Sequence, residues 1–420
     1  MLPAVIQVIT IIACQTGSAY ITVELQLGGE NVKNKTKALC FILITIIVIS
    51  ALPCGISADD TKSGKSVSSV ILDGGYKIDF DPGISEYTVF LPSGRPRIPR
   101  ISVEAASGVD IKIYKAFFSD DSLTATAYIV ATDGVKQSTY SIRFIRSEKL
   151  GFVLQYDDRY KFVPEALTGS ISFTSSDPEK AFVDPASGMI RAKSVSDKPI
   201  TITAESSTGK RETLIIDKIV KAQIDIVMSV GQSNAYGRGG NAALAEKIRP
   251  GTAYDIGYDG NTQASNGNTI PRGLGATDGT GAGVEGVRQA FANEWYKTTG
   301  EKILFINAAD PGIKIAEWQK NGKTYIGAKK EYDRVKELMS ESKNFEIYRE
   351  FFYFNHGSAD AGSNFNQNYH AMVVSCFETL FAETDFEFGT FFEYFSSDRA
   401  YTTWIRSQHN RIISEMDNIY

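Results

Sequence analysis

Residues 226–240 read IVMSVGQSNAYGRGG. An apolar run ends at Gly231, passes through Gln232 to Ser233, and is followed by glycines at 237, 239 and 240. One reading is an ordinary strand-to-helix turn, since serine is a favoured residue at a helix start. The other is a turn that holds Ser233 out as a nucleophile. Gly231 permits a tight exit from the strand. A serine at the first position of the next helix lies beside unpaired backbone N–H groups and the positive end of a dipole, which suits a reaction that develops an oxyanion. Asn234 can tie the turn to the backbone. GQSN on its own does not choose between the two.

Downstream of Ala222, apolar strands alternate with amphipathic segments. IDIVMSV, KILFINAA, EIYREFFYF and FEFGTFFEYF are separated by helical patterns near 284–298, 326–340 and 366–383, and another begins at about 401. Val284, Val287, Phe291 and Trp295 fall on one helical face, and Gly300 is a good stop. This alternation predicts an α/β domain with a mainly parallel sheet. In such sheets ligands bind beyond the carboxyl ends of the strands. Gly231–Asn234, Asp310–Gly312 and Asn355–Asp360 each follow a strand, so three loops are expected to meet at one edge.

The blocks VGQSNAYGRGG, GTAYDIGYDG and GVRQAFANEWYKTTGEKILFINAADPGIKIAEWQ, in that order, resemble the sialate O-acetylesterase-like branch of the SGNH hydrolases over about residues 222–420. The resemblance implies a three-layer, flavodoxin-like domain with Ser233 as nucleophile. The Gly312 amide would face the oxyanion, and Trp318 would close the second block. It also implies a secreted carbohydrate O-acetylesterase acting on an acetylated glycan or sialoglycan, with no metal or organic cofactor. Departures are visible. Pro311 stands where the second block has a glycine and has no N–H to donate; Ile313 and Lys314 replace Thr and Ser. In the third block His356, Gly357, Ser358 and Asp360 stand where the family has Gln, Gly, Glu and Asp.

The proton acceptor is the larger departure. The family takes it from a late D-x-x-H block, and none of His356, His370 and His409 lies in one. The resemblance therefore implies a domain that continues past residue 420. Of the three, His370 is expected at an edge of a helix whose core face is Tyr369, Val373, Cys376 and Leu380. His409 lines up with Ile405, Ile412 and Met416 as a packed histidine. His356 follows a strand end and is the candidate donor or base, with Asp360 as its orienting carboxylate. Gln232, Asn234, Asp360 and Trp318 are the candidate substrate contacts, and Asp310 is a further carboxylate on the same edge. Tyr236, Tyr254 and Tyr258 add aromatic faces that suit sugars or plain packing. The Gly/Asn/Thr-rich stretch 255–283 has the length of a lid or a structureless loop. The departures also admit a different class of function: an SGNH-fold protein that binds glycans or mediates adhesion without hydrolysis.

Upstream, residues 68–147 alternate with period two, as in Tyr87-Thr-Val89-Phe-Leu91 and Tyr140-Ser-Ile142-Arg-Phe144, which predicts a β-sandwich. YKIDFDPGISEYTVFLPSG resembles cadherin-like modules. Residues 148–220 carry Ser176-Asp177-Pro178 and Val183-Asp184…Gly188…Ile190…Ala192, which resemble a bacterial immunoglobulin-like group 2 module. Ile171, Phe173, Ile200 and Ile202 should alternate into one core. The expected class is thus two all-β sandwiches followed by an α/β three-layer domain, with a polar linker at 59–67. Lys33, Lys35 and Lys37 precede the apolar run Ala38–Leu52 and CGISADD, the order of a secretory signal, so residues 1–58 are expected to direct export and cleavage near Ala58. Leu2–Cys14 is a second apolar stretch ahead of it, which implies a start codon downstream or a membrane hairpin. Only Cys376 lies beyond the signal, so no intrachain disulfide framework is expected. A net charge of −5 without a basic patch argues against nucleic acid. Export leaves the extracellular space or the cell envelope as the expected location.

Overall fold

The computed structural model describes residues 10–12, 20–22, 67–119, 122–134, 136–236, 247–259, 270–276, 287–361, 366–392 and 400–420. Residues 1–64 form one compact unit and 65–420 another. In the first, Thr10–Ile12 and Tyr20–Thr22 pair antiparallel. The segment 33–58, expected to carry an export signal, lies outside the described residues. Among the described residues no helix is long and apolar enough to cross a membrane.

Among the described residues the larger unit shows three hydrophobic cores in succession. In the first, Val89 and Leu91 alternate inward from the strand Glu86–Gly94, and Tyr140, Ile142 and Phe144 from the strand Lys136–Gln155. These two strands run parallel, with Thr124–Asp133 antiparallel on the other side. The second core joins Phe173, Ile202, Ala204 and Ile216 of one three-stranded sheet to Ala181, Val183, Ile190 and Ala192 of another. Ile171 is partly buried at its margin. The expected boundary at 147/148 falls within the 20-residue strand Lys136–Gln155 at a break in its pairing, where the partners of Glu86–Gly94 step from Ser147 to Phe152; the strand supplies Ile142 and Phe144 to the first core and Leu154 to the second.

The third core belongs to an α/β domain. Its strands are β1 (Ala222–Gly231), β2 (Ala253–Asp259), β3 (Ile270–Ala276), β4 (Lys302–Asn307), β5 (Phe345–Asn355) and β6 (Phe388–Phe391). Its helices are α1 (Val287–Thr299), α2 (Lys323–Glu341), α3 (Tyr369–Glu383) and α4 (Ala400–Glu415). The sheet order is β3-β2-β4-β1-β5-β6, and every pair is parallel except the edge pair β2/β3. All ten residues of β1 are buried, which is why it reads as an unbroken apolar run. Ile224, Ile226, Met228 and Val230 share a core with α2 and α3. On the opposite face Phe291 and Trp295 of α1 lie against Phe305, Phe351 and Tyr353. The stretch expected as a lid contains the β2/β3 pair; its glycines and polar residues hide the alternation that marks a strand.

The amino ends of β1, β4 and β5 rest on the β modules. Gln223 is fully buried: its side chain bonds both the N–H (2.8 Å) and the C=O (2.9 Å) of Ile98, and its own N–H donates to Gln155 Oε1 at 2.8 Å. Lys302 Nζ meets Asp158 at 2.7 Å with both side chains 2% exposed. A bulge in β5, where the β1 partners step from Ile347 to Arg349, turns Tyr348 into the first sandwich core, with its hydroxyl on Ala116 O at 2.6 Å. The free edge is therefore the carboxyl edge. There the chain leaves β1 for β4 and β2 on one side and for β5 and β6 on the other, the switch point at which open sheets hold ligands.

Candidate active site

The end of β1 is the node at which the three loops meet. Gly231 has φ +141°, and a Cβ there would lie 2.1 Å from Asn355 O, so only glycine fits. Its carbonyl accepts from Asp310 N and from Trp318 Nε1, each at 3.2 Å, which ties the second block to the first. Gln232 N donates to Asn355 O at 3.1 Å. The Gln232 side chain reaches the third block, donating to Ser358 Oγ and accepting from Ala359 N at 3.2 Å.

The second and third blocks are also joined to each other. Asp360 accepts from Ile315 N and from Asn366 Nδ2, each at 2.8 Å. His356 Nε2 lies 3.1 Å from Ile313 O. A carbonyl can only accept, so this contact assigns the proton to Nε2. Nδ1 then faces Asp360 Oδ2 at 3.7 Å without a hydrogen bond. Burial holds the imidazole pKa down at about 4; the Asp360 carboxylate pulls it upward without offsetting the burial. His356 is neutral at pH 7.

Ser233 opens the helical turn Ser233–Tyr236 and is half-buried. Behind it, Tyr353 OH donates to Ala235 O at 2.9 Å. Gly312 is exposed with φ +78°, and nothing lies within 4 Å of where its Cβ would stand. The side chain of Asn234 lies outside the described residues, as do those of Tyr236 and Tyr258. Tyr254 is 3% exposed and donates to Asp157 at the foot of the sheet, far along β2 from the carboxyl edge.

Of the residues expected to face substrate, Gln232, Trp318 and Asp360 are buried and spend their polar atoms bracing the loops. Trp318, fully buried, offers no face for a sugar. The ring N–H of His356 is likewise committed to Ile313 O, not to a reacting group. Long polar side chains near a glycine-rich turn look the same in sequence whether they point to solvent or across to a neighbouring loop. His370 contacts Glu415 at 2.8 Å. His409 is packed as expected, 3.0 Å from Tyr369 OH and stacked 4.2 Å from Phe391. Among the described residues no cluster of three or more His, Cys, Asp or Glu could hold a metal ion. Sequence reasoning missed Tyr353, which reads as one more core aromatic in a strand buried on both faces.

No protein-family model matches the sequence, and no curated protein does. Among solved structures the chain is similar to a protein from Arabidopsis thaliana at 18% identity, over 46% of this chain and 83% of that one, with a TM-score of 0.32. It is similar to a carbohydrate acetylesterase from Xanthomonas citri at 15% identity, over 62% and 64% of the two chains, with a TM-score of 0.30. It is also similar to NanS at 12% identity, over 47% and 74%, with a TM-score of 0.32.

Proposed function

We infer that this chain is a serine esterase of the SGNH type that removes O-acetyl groups from glycans outside the cytoplasm. The observation that carries the reading is the convergence of three loops on Gly231 and Gln232 at the switch point of the sheet, with Ser233 at the start of a helical turn and Gly312 left open. In this reading Ser233 Oγ attacks the acetyl carbonyl and gives its proton to a base. The Ser233 and Gly312 N–H groups hold the oxyanion. Collapse breaks the bond to the sugar oxygen, which leaves with the proton. Water then attacks the acetyl-enzyme, releasing acetate and restoring the serine. His356 and Asp360 act here as braces for the oxyanion loop.

The histidine contacts favour a second reading. His356, His370 and His409 are held by Ile313, Glu415 and Tyr369. A chain without a base for Ser233 would bind glycans at the same edge and hydrolyse nothing. Acetate release from aryl acetate, acetylated xylan and acetylated sialic acid separates the two. The esterase reading expects turnover that Ser233→Ala reduces about a thousandfold or more. Glycan binding by calorimetry with turnover equal in wild type and Ser233→Ala would replace it by the second.

A further inference from the structure

One sheet of the second β module gathers charge on its outer face by register. Its strands are Ala181–Val183, Met189–Ala192 and Arg159–Lys161, paired antiparallel in that order. Ala181, Val183, Ile190 and Ala192 turn into the core, so the residues between them turn outward. Phe182 stands opposite Arg191, Arg191 opposite Arg159, and Met189 opposite Lys161. Side chains opposite one another lie about 5 Å apart, and those two positions along a strand about 7 Å. Two large apolar side chains thus lie open among three cations: Phe182 is 43% exposed and Met189 37%. No basic run marks this face in the sequence, because no strand contributes more than two of its charges.

The cations of this face are unspent. Arg159 and Lys161 are exposed and make no hydrogen bond or ion pair among the described residues. Arg191 gives only its Nε, to Asp157 at 2.6 Å, which leaves both terminal guanidinium nitrogens without a partner there. Asp157 is itself buried and also accepts from Tyr254 of β2 at 2.8 Å, so Arg191 is braced against the α/β domain. A planar fork fixed along one edge loses little freedom when its other edge meets a carboxylate. The nearby carboxylates are already engaged: Asp157 by those two bonds, Asp184 by the N–H of Ser187 at 2.7 Å, and Glu179 by Lys193 at 3.3 Å. In a chain of net charge −5 this face reverses the overall sign.

We propose that this face binds an acidic polysaccharide, a chain of uronic acids, with the sugar carboxylates on Arg159, Lys161 and Arg191 and the C–H faces of the rings on Phe182 and Met189. A polyuronate carries one carboxylate per sugar, which suits a grid of cations, and its rings present apolar faces of the kind that stack on an aromatic side chain. An acidic peptide is read along a sheet edge or through pockets, whereas the groups here stand on the open face of the sheet. Anchored on the polymer in this way, the α/β domain meets the neighbouring sugars at a raised local concentration. The inference concerns the β module and does not depend on Ser233.

The test is calorimetry of the full chain with polygalacturonate, with unsubstituted xylan and double-stranded DNA as the neutral and anionic comparisons. Polygalacturonate should bind. Arg159→Gln/Lys161→Gln should weaken it about tenfold and Phe182→Ala about fivefold. Lys210→Gln/Lys218→Gln, which removes the same charge elsewhere on the module, should leave the affinity unchanged. These side chains are all exposed, so each variant should keep the wild-type Tm. If Phe182→Ala does not fold, Phe182→Thr, which suits a strand, takes its place. No binding of polygalacturonate, wild-type affinity in Arg159→Gln/Lys161→Gln, or an equal loss in the Lys210 and Lys218 pair would overturn the proposal. Xylan bound as tightly through the same side chains would overturn the acidic class of ligand. DNA bound as tightly as polygalacturonate, with Phe182→Ala unchanged, would reduce the face to general attraction of polyanions and overturn it as well. None of these outcomes bears on Ser233, whose turnover is read separately.

Discussion

Gly231 and Gly312 both lie at positive φ, +141° and +78°, but for different reasons. At Gly231 a methyl group would enter the carbonyl of Asn355, on backbone that cannot move without parting β1 from β5. Gly231→Ala is expected to cost several kcal/mol and to lower Tm sharply. At Gly312 the space is open and only the φ strain remains, on the order of 1–2 kcal/mol. Gly312→Ala should therefore fold, and it should lose acyl transfer because the new methyl stands over the amide; thermal unfolding and aryl acetate hydrolysis measured together check both outcomes. His356 adds a pH dependence. Its folded pKa of about 4 lies below the ordinary 6.5, so the unfolded chain binds more protons between those values. Stability is complete above about pH 6.5, declines as pH falls towards 4, and levels off below, a loss on the order of 3 kcal/mol. His356→Gln, which can still donate to Ile313 O, should flatten that decline in urea unfolding at pH 7.5 and 4.5. The glycines and the histidine stood out in the sequence, but their partners did not. Nothing local says that Gln232 reaches Ser358, or that Asp360 reaches Ile315, because both bonds span loops more than forty residues apart.

At the scale of elements, legibility followed burial. β1 and β5 are enclosed on both faces and read as apolar runs; α3 shows its core face as Tyr369, Val373, Cys376 and Leu380, all buried. The β2/β3 pair escaped notice since its turn residues break the period. The 3₁₀ turn Ile315–Trp318 is the element that fastens the second block to the first, through one indole N–H. Trp318→Phe keeps most of the volume and removes that bond. It is expected to cost about 1 kcal/mol in chemical denaturation and to reduce turnover more than stability, because the loop that carries Gly312 is then held at one point fewer.

At the scale of the molecule, the β modules are the floor of the α/β domain. A fragment of residues 222–420 would expose Gln223, Lys302 and Tyr348, all enclosed in the intact chain. Such a fragment is expected to lose near-UV circular dichroism and to unfold without cooperativity. A finer probe is Lys302→Met, which strands Asp158 in a dry interface. A loss of about 3–5 kcal/mol is expected, with most of it recovered when Asp158 is also replaced by asparagine, whose Oδ1 can still accept from Gln155 N. Equilibrium unfolding of both variants checks this; a single variant as stable as wild type would show that the floor is not held by that pair.

The strand Lys136–Gln155 passes from one β module to the other through a bulge at 148–151, and the parallel neighbour Glu86–Gly94 pairs with it on both sides of that bulge. Parallel neighbours pulled from opposite ends must slip past one another with many bonds breaking at once, whereas a hinge would yield bond by bond. Under tension the one neighbour shared across the bulge, Glu86–Gly94, therefore acts as a splint that keeps the two modules from parting.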